Sequence, residues 1–254
     1  MLFVADIGNT DVVMGMYSDG RLSACWRMGM DTKKTVDEYE VAVRGFLALD
    51  EIYPGDVNGA IISSVVPTVT GVFEKLASRL FKVQPLVVGA GIKTGMTIKT
   101  DNPREVGADR IANAVAAYEL YGGPVIVADF GTATTFDVVS AVGEYMGGLI
   151  SPGINISMEA LFQRAAKLPR VALVKPTSAI GKNTVASMQA GIMYSVIGGI
   201  NFSVQAIWKE LGAQAKVVAT GGLAELVGPQ AEIVDIINRE LTLEGLRIIY
   251  DRNR

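Results

Sequence analysis

Leu2–Leu22 reads LFVADIGNTDVVMGMYSDGRL, and 123 positions later Val125–Tyr145 reads VIVADFGTATTFDVVSAVGEY. Without gaps, Val4, Ala5, Asp6, Gly8 and Gly20 fall on Val127, Ala128, Asp129, Gly131 and Gly143. Each copy is an apolar strand, an Asp-x-Gly turn with amide or hydroxyl residues, a second apolar strand, and a glycine turn into a third. The shared residues sit on turns, where glycine has a backbone reason to be. An offset of about half the chain predicts a duplicated domain.

The chain around the two copies carries helical and strand patterns in alternation. Thr35–Leu49 places Val36, Tyr39, Val43, Phe46 and Leu47 on one helical face. A strand is expected over Gly59–Val65, a helix over Val69–Phe81 and a short strand over Pro85–Val88. Asn102-Pro103 offers an N-cap with proline at the first helical position, for a helix running to about Tyr121. Beyond the second copy, Ile156–Ala166, Thr184–Leu211 and Glu240–Asp251 read as helices, with a strand at Lys216–Thr220. This order, ββ(β)αβαβ repeated, predicts an α/β protein of two domains, 1–118 and 119–254, with a cleft between them.

Composition narrows the chemistry. A charge of -3 gives no basic field for nucleic acid. With no histidine, the chain has no His-ligated metal, His base or Ser-His-Asp triad, so acid/base work falls to Asp, Glu, Lys or Tyr. The single cysteine, Cys25, lies in the apolar run Leu22–Trp26 and is expected to be a buried thiol. The start MLFVADIG lacks the zones of a signal peptide, and no apolar run reaches the 18 residues a membrane span needs; a cytoplasmic protein is expected.

Four short segments carry candidate chemistry. In Asp6-Ile7-Gly8-Asn9-Thr10, glycine lets backbone N–H groups approach an anion, and Asn9 and Thr10 add donors; the same residues also make an ordinary hairpin turn. The second copy, Asp129 to Thr135, adds a row of hydroxyls that includes Thr132 and Thr134. Two carboxylates repel phosphate, so Asp6 and Asp129 suit a cation that bridges to it. Gly107-Ala108-Asp109-Arg110 opens a helix, where an aspartate also suits the macrodipole. Beside a phosphate site, Asp109 is the natural acceptor of a hydroxyl proton, and Arg110 can neutralise anionic charge. Thr220-Gly221-Gly222 follows a strand, and its glycines leave room for a flat adenosine; a plain β-to-α turn accounts for them nearly as well. Gly181-Lys182-Asn183-Thr184 lacks the first glycine of a Walker A loop, since Pro176 stands there.

In this order, Asp6–Thr10, Gly107–Arg110, Asp129–Thr135 and Thr220–Gly222 resemble the phosphate 1, pantothenate, phosphate 2 and adenosine motifs of the type III pantothenate kinases. These belong to the acetate and sugar kinase, Hsp70 and actin superfamily. The resemblance implies duplicated actin-like (ribonuclease H-like) domains, ATP as donor, pantothenate as acceptor, and a homodimer that completes the substrate pocket. It implies Asp109 as the catalytic residue and Asp129 as ligand of a monovalent cation, K⁺ or NH₄⁺. Asp6 would serve a divalent ion, Mg²⁺. ATP contacts fall on Asp6, Gly8, Asn9, Thr10, Thr132, Thr134, Thr220, Gly221 and Gly222, and substrate contacts on Gly107, Ala108, Arg110, Thr184 and Thr100. Asp11 departs from the neutral residue common in the family and puts a carboxylate beside the phosphate turn. A non-catalytic member acting as a transcriptional accessory factor is the competing expectation; neither reading calls for nucleic acid or a membrane as direct partner.

Overall fold

The computed structural model describes residues 1–254. In chain order it contains β1 (Leu2–Ile7), β2 (Asp11–Ser18), β3 (Arg21–Gly29), α1 (Val36–Leu49), β4 (Gly59–Ser64), α2 (Pro67–Leu80), β5 (Leu86–Val87), β6 (Thr97–Ile98) and α3 (Ala108–Tyr121). The second half follows as β7 (Val125–Phe130), β8 (Ala133–Val139), β9 (Glu144–Pro152), α4 (Ile154–Arg164), α5 (Thr184–Leu211), β10 (Lys216–Thr220), α6 (Ala224–Val227), β11 (Ile236–Ile237) and α7 (Leu241–Asp251).

The chain divides into two compact units, Met1–Ala116 with Leu241–Arg254, and Ala117–Glu240. In the first, the strands run β3-β2-β1-β4-β5, with β1 antiparallel to β2 and parallel to β4. In the second, β9-β8-β7-β10-β11 repeats that order, with β7 antiparallel to β8 and parallel to β10. The duplication expected from the two Asp-x-Gly segments is therefore a duplication of sheet topology.

Strand alternation explains how each sheet is covered. Phe3, Ala5 and Ile7 of β1 face one core with Tyr39 and Val43 of α1 and Phe73 and Leu76 of α2. Leu2 and Val4 face the opposite core with Ile61, Ile111 and Val115 of α3, and Leu243, Leu246 and Ile249 of α7. A strand buried on both faces reads as a continuous apolar run, as LFVADI does. α1 starts at a capping box: the Thr35 hydroxyl accepts from the Glu38 N–H, and the Glu38 carboxylate accepts from the Thr35 N–H at 2.8 Å. In the second unit, Ile126, Ala128 and Phe130 pack with Ile200, Val204 and Ile207 of α5.

Several expectations change. α7 belongs with the first unit although it is the C-terminal element, because its apolar face fills the core beneath β1. Asn102 accepts from the Arg104 N–H and caps a short 3₁₀ turn at Pro103–Glu105 rather than α3. Cys25 is exposed: β3 turns Trp26 inward, so its neighbour Cys25 points out. α5 is long and apolar enough, by length and composition, to cross a membrane, whereas no such run was expected. Its Met188, Met193, Ile200 and Val204 are buried in the protein, whereas its Tyr194 and Phe202 are exposed.

Close helix packing in the first unit depends on Gly245 of α7, where a Cβ would run into the Ala112 carbonyl of α3. Overpacking of this kind costs about 1–3 kcal/mol. Gly245→Ala is expected to lower stability by that amount in chemical denaturation, without changing the fold seen by circular dichroism.

Candidate active site

Asp6 is the penultimate residue of β1, and the chain reverses through Gly8–Thr10 to enter β2. The Gly8 N–H closes this turn on the Asp11 carbonyl at 2.9 Å, leaving Asn9 and Thr10 exposed at the tip. The Asp11 carboxylate, 3.3 Å from the Arg27 guanidinium on β3, has its charge countered locally. The carboxylate that seemed out of place beside a phosphate turn is thus paired.

The parallel register sets Asp6 beside Ser63 of β4. Two residues on, Val65 donates its N–H to the Ile7 carbonyl at 3.1 Å, and Gly107 lies against it: a Cβ on Gly107 would stand 3.7 Å from the Val65 side chain. That same Cβ would run into the Asp109 carboxylate. Asp109, in the first turn of α3 after Ala108, has one oxygen accepting the Arg110 N–H at 2.8 Å. Burial pushes the Asp109 carboxyl above its ordinary value, outweighing the Arg110 N–H and the Arg110 charge, which both pull it down. So Asp6, Ser63, Gly107 and Asp109 gather at the C-terminal ends of β1 and β4, where open α/β sheets place their ligands. Thr100 is half-buried, and its hydroxyl has no partner.

The second unit repeats the arrangement. Asp129 is penultimate in β7, the Gly131 N–H closes the turn on the Ala133 carbonyl at 3.1 Å, and Thr132 is exposed at the tip. Asp129 stands in register with Thr220 on β10 and Thr135 on β8, so these three share a face. Gly221 follows with φ +90°, and a Cβ there would run into the Asp129 carboxylate and the Phe130 backbone. Gly222 completes the turn into α6.

Thr134 falls elsewhere. It pairs with Phe130 and faces away from Asp129, lining a cavity of about 940 Å³ with Phe136, Ile154 and Thr184. The row of hydroxyls expected after Asp129 is split by strand alternation: Thr135 shares the Asp129 face and Thr134 does not. Thr184 opens α5 behind Asn183, whose side chain accepts the Ala186 N–H at 2.9 Å. Ser63 has no place among the expected site residues, whereas Thr135 belongs to the row of three threonines expected after Asp129. Alternation from Asp129 points to Thr135, but Ser63 meets Asp6 only through pairing of distant strands.

No group of three or more His, Cys, Asp or Glu side chains gathers to hold a metal by itself. Asp129, with the bare Cα of Gly221 and the unpartnered Thr220 hydroxyl around it, offers oxygen atoms to a hard cation whose shell is completed by ligand oxygens. The residues fit such an ion on those terms.

A twice-repeated sheet with an Asp-x-Gly turn after its first strand is the actin-like architecture of ATPases and sugar kinases. The chain superposes on the ROK hexokinase of Thermus thermophilus with a TM-score of 0.52 at 11% identity, covering 100% of this chain and 99% of that one. It also superposes on a Campylobacter jejuni protein described as a Baf family transcriptional activator, with a TM-score of 0.63 at 19% identity and coverage of 99% and 98%. At such identities these likenesses concern the fold alone. Sequence gives the family: the model of type III pantothenate kinase matches residues 2–206. A type III pantothenate kinase of Moorella thermoacetica is 53% identical over 253 residues, the full length of both. The chain belongs to the type III pantothenate kinase family.

Two outcomes follow for the site. Gly221→Ala forces a Cβ against Asp129 at a φ that disfavours side chains, so it is expected to lose stability by about 1–3 kcal/mol, with turnover falling by more than the unfolded fraction explains. Asp109→Asn tests the burial effect. A raised native pKa means that folded Asp109 resists ionising. The penalty is absent below the ordinary aspartate value, grows as pH rises through the raised value, and persists above it. Asp109→Asn is therefore expected to match the parent's thermal midpoint in acid and equal or exceed it at neutral pH.

Proposed function

We propose that the protein transfers the terminal phosphoryl group of ATP to pantothenate, giving 4'-phosphopantothenate, the first step toward coenzyme A. The observation that carries this reading, in a chain of this family, is the half-buried Asp109 carboxyl in the first turn of α3, shifted upward by its surroundings. A base with a pKa raised toward neutrality is better matched to taking a hydroxyl proton than an ordinary aspartate.

Asp109 accepts the proton of the primary hydroxyl of pantothenate while that oxygen points in line at the phosphorus. Gly107, Ala108 and Arg110 shape the acceptor side, and Arg110 offsets anionic charge. Thr100 and Thr184 add substrate contacts; the unpartnered Thr100 hydroxyl supports such a role. The turns at Asp6, Gly8, Asn9 and Thr10 and at Asp129 and Thr132 present N–H and side-chain donors to the phosphates, and Gly221 and Gly222, which follow the buried Thr220, flank the adenosine. Thr134 lies off the phosphate side and contributes to the cavity it shares with Thr184. When bound, K⁺ or NH₄⁺ at Asp129 and Mg²⁺ near Asp6 supply positive charge that lets two carboxylates stand beside a polyphosphate. Because phosphoryl transfer is loose, positioning and charge neutralisation contribute more than proton removal.

The working form is a homodimer in the cytoplasm. Tyr194 and Phe202 on α5, and Ile150, Ile156 and Ile180 of the same unit, expose large apolar side chains, and a second copy is the partner that would cover them. The acidic balance suits neither nucleic acid nor an anionic lipid surface.

The test is ADP release from ATP and Mg²⁺ with pantothenate. Turnover is expected with K⁺ and much less with Na⁺; absence of turnover at millimolar ATP contradicts the reading. Asp109→Asn is expected to lose about 10²- to 10⁴-fold in kcat while nucleotide affinity changes little. The acid limb of the parent's pH–rate profile should lie above the ordinary carboxylate range.

A further inference from the structure

Two hydroxyls are buried without a partner at equivalent places in the two halves. Ser63 is 0% exposed and Thr220 1%, and neither side-chain oxygen has a hydrogen-bond partner. Ser63 stands in register with Asp6, and Thr220 with Asp129, the aspartates that correspond in the repeat. In-register residues of neighbouring parallel strands share a face about 4.8 Å apart. Each hydroxyl thus neighbours, across the strand pair, a carboxylate, the strongest acceptor it can meet.

A buried, unsatisfied hydroxyl is costly, and the neighbouring element could carry an apolar residue of the same size. Two such hydroxyls beside corresponding aspartates point to a state of the protein in which both are satisfied. Their burial keeps them from a ligand arriving from solvent, so each acts on the carboxylate next to it. Asp129 already leans toward β10, since a Cβ on Gly221 would collide with it.

We propose that Ser63 and Thr220 are positioning residues, each donating a hydrogen bond to one oxygen of Asp6 or Asp129 so that the other oxygen is presented to the ATP complex. This rests on the kinase reading above, for only there do both aspartates take up a working orientation. The same device, a hydroxyl on the parallel strand steering the aspartate of the turn, is built into both halves.

Ser63→Ala, Thr220→Val and Thr220→Ser test it. The first two remove a hydroxyl that has no partner in the ligand-free protein, so their ligand-free thermal midpoints are expected to hold or rise. Calorimetric affinity of Ser63→Ala for ADP with Mg²⁺ is expected to fall about 10- to 100-fold, the value of a hydrogen bond to a charged group. Thr220→Val is expected to need about tenfold more K⁺ for half-maximal turnover, and Thr220→Ser, which keeps the hydroxyl, to restore most of that. Unchanged ADP affinity and unchanged K⁺ dependence in folded variants would overturn the proposal. So would a Thr220→Ser protein as impaired as Thr220→Val. A parent protein that binds ADP but does not phosphorylate pantothenate sinks the kinase reading instead, and the ADP arm still decides Ser63.

Discussion

The parallel pairing of β1 with β4, and of β7 with β10, is the constraint on which the rest of the molecule depends. Parallel strands need a crossover and are buried on both faces, so polar side chains emerge only where the strands end. Both pairs end on an aspartate beside a hydroxyl, Asp6 with Ser63 and Asp129 with Thr220. In both, the antiparallel return into the next strand passes through a glycine two residues after the aspartate. The halves differ by one residue at the strand exit. Val65 reaches the Ile7 carbonyl two residues after Ser63, whereas Leu223 reaches the corresponding Phe130 carbonyl three residues after Thr220. The added length lies in Gly221-Gly222, where the backbone takes a positive φ and leaves space that the Asp129 carboxylate occupies. The duplicated turns thereby differ: only the second has a glycine corner against its aspartate.

Electrostatics then divides the labour among carboxylates. A chain with no histidine leaves acid/base work to Asp, Glu, Lys or Tyr, and burial is one lever that moves a carboxyl from its ordinary value. Asp109 is subject to it, held against Gly107 with one oxygen on the Arg110 N–H. Asp11, by contrast, is ion-paired with Arg27 and partly exposed, so it remains a local surface charge rather than a second candidate.

Much of this was legible in the sequence because turn glycines and strand alternation are local. The repeat gave the duplicated topology, and α5 and β10 fall at the expected bounds. What failed depends on tertiary placement. Cys25 was taken as buried from its apolar neighbours, but β3 presents alternate residues to solvent. Thr134 is grouped with Thr135 in one row of hydroxyls, although one residue along a strand reverses the face. α7 follows the second half in sequence and packs in the first unit, since its Leu243, Leu246 and Ile249 complete the core under Leu2 and Val4. Ser63 carried no signal: SSVVP looks like the end of any buried strand, and its meeting with Asp6 comes from the pairing of segments more than fifty residues apart.

The central claim is the proposal that Asp109 receives the proton of the acceptor hydroxyl. A crystal structure with a non-hydrolysable ATP analogue, K⁺, Mg²⁺ and pantothenate tests it most directly. The account predicts an Asp109 oxygen within about 2.6–3.2 Å of the primary hydroxyl of pantothenate. A pantothenate hydroxyl bound out of reach of both Asp109 oxygens would contradict it.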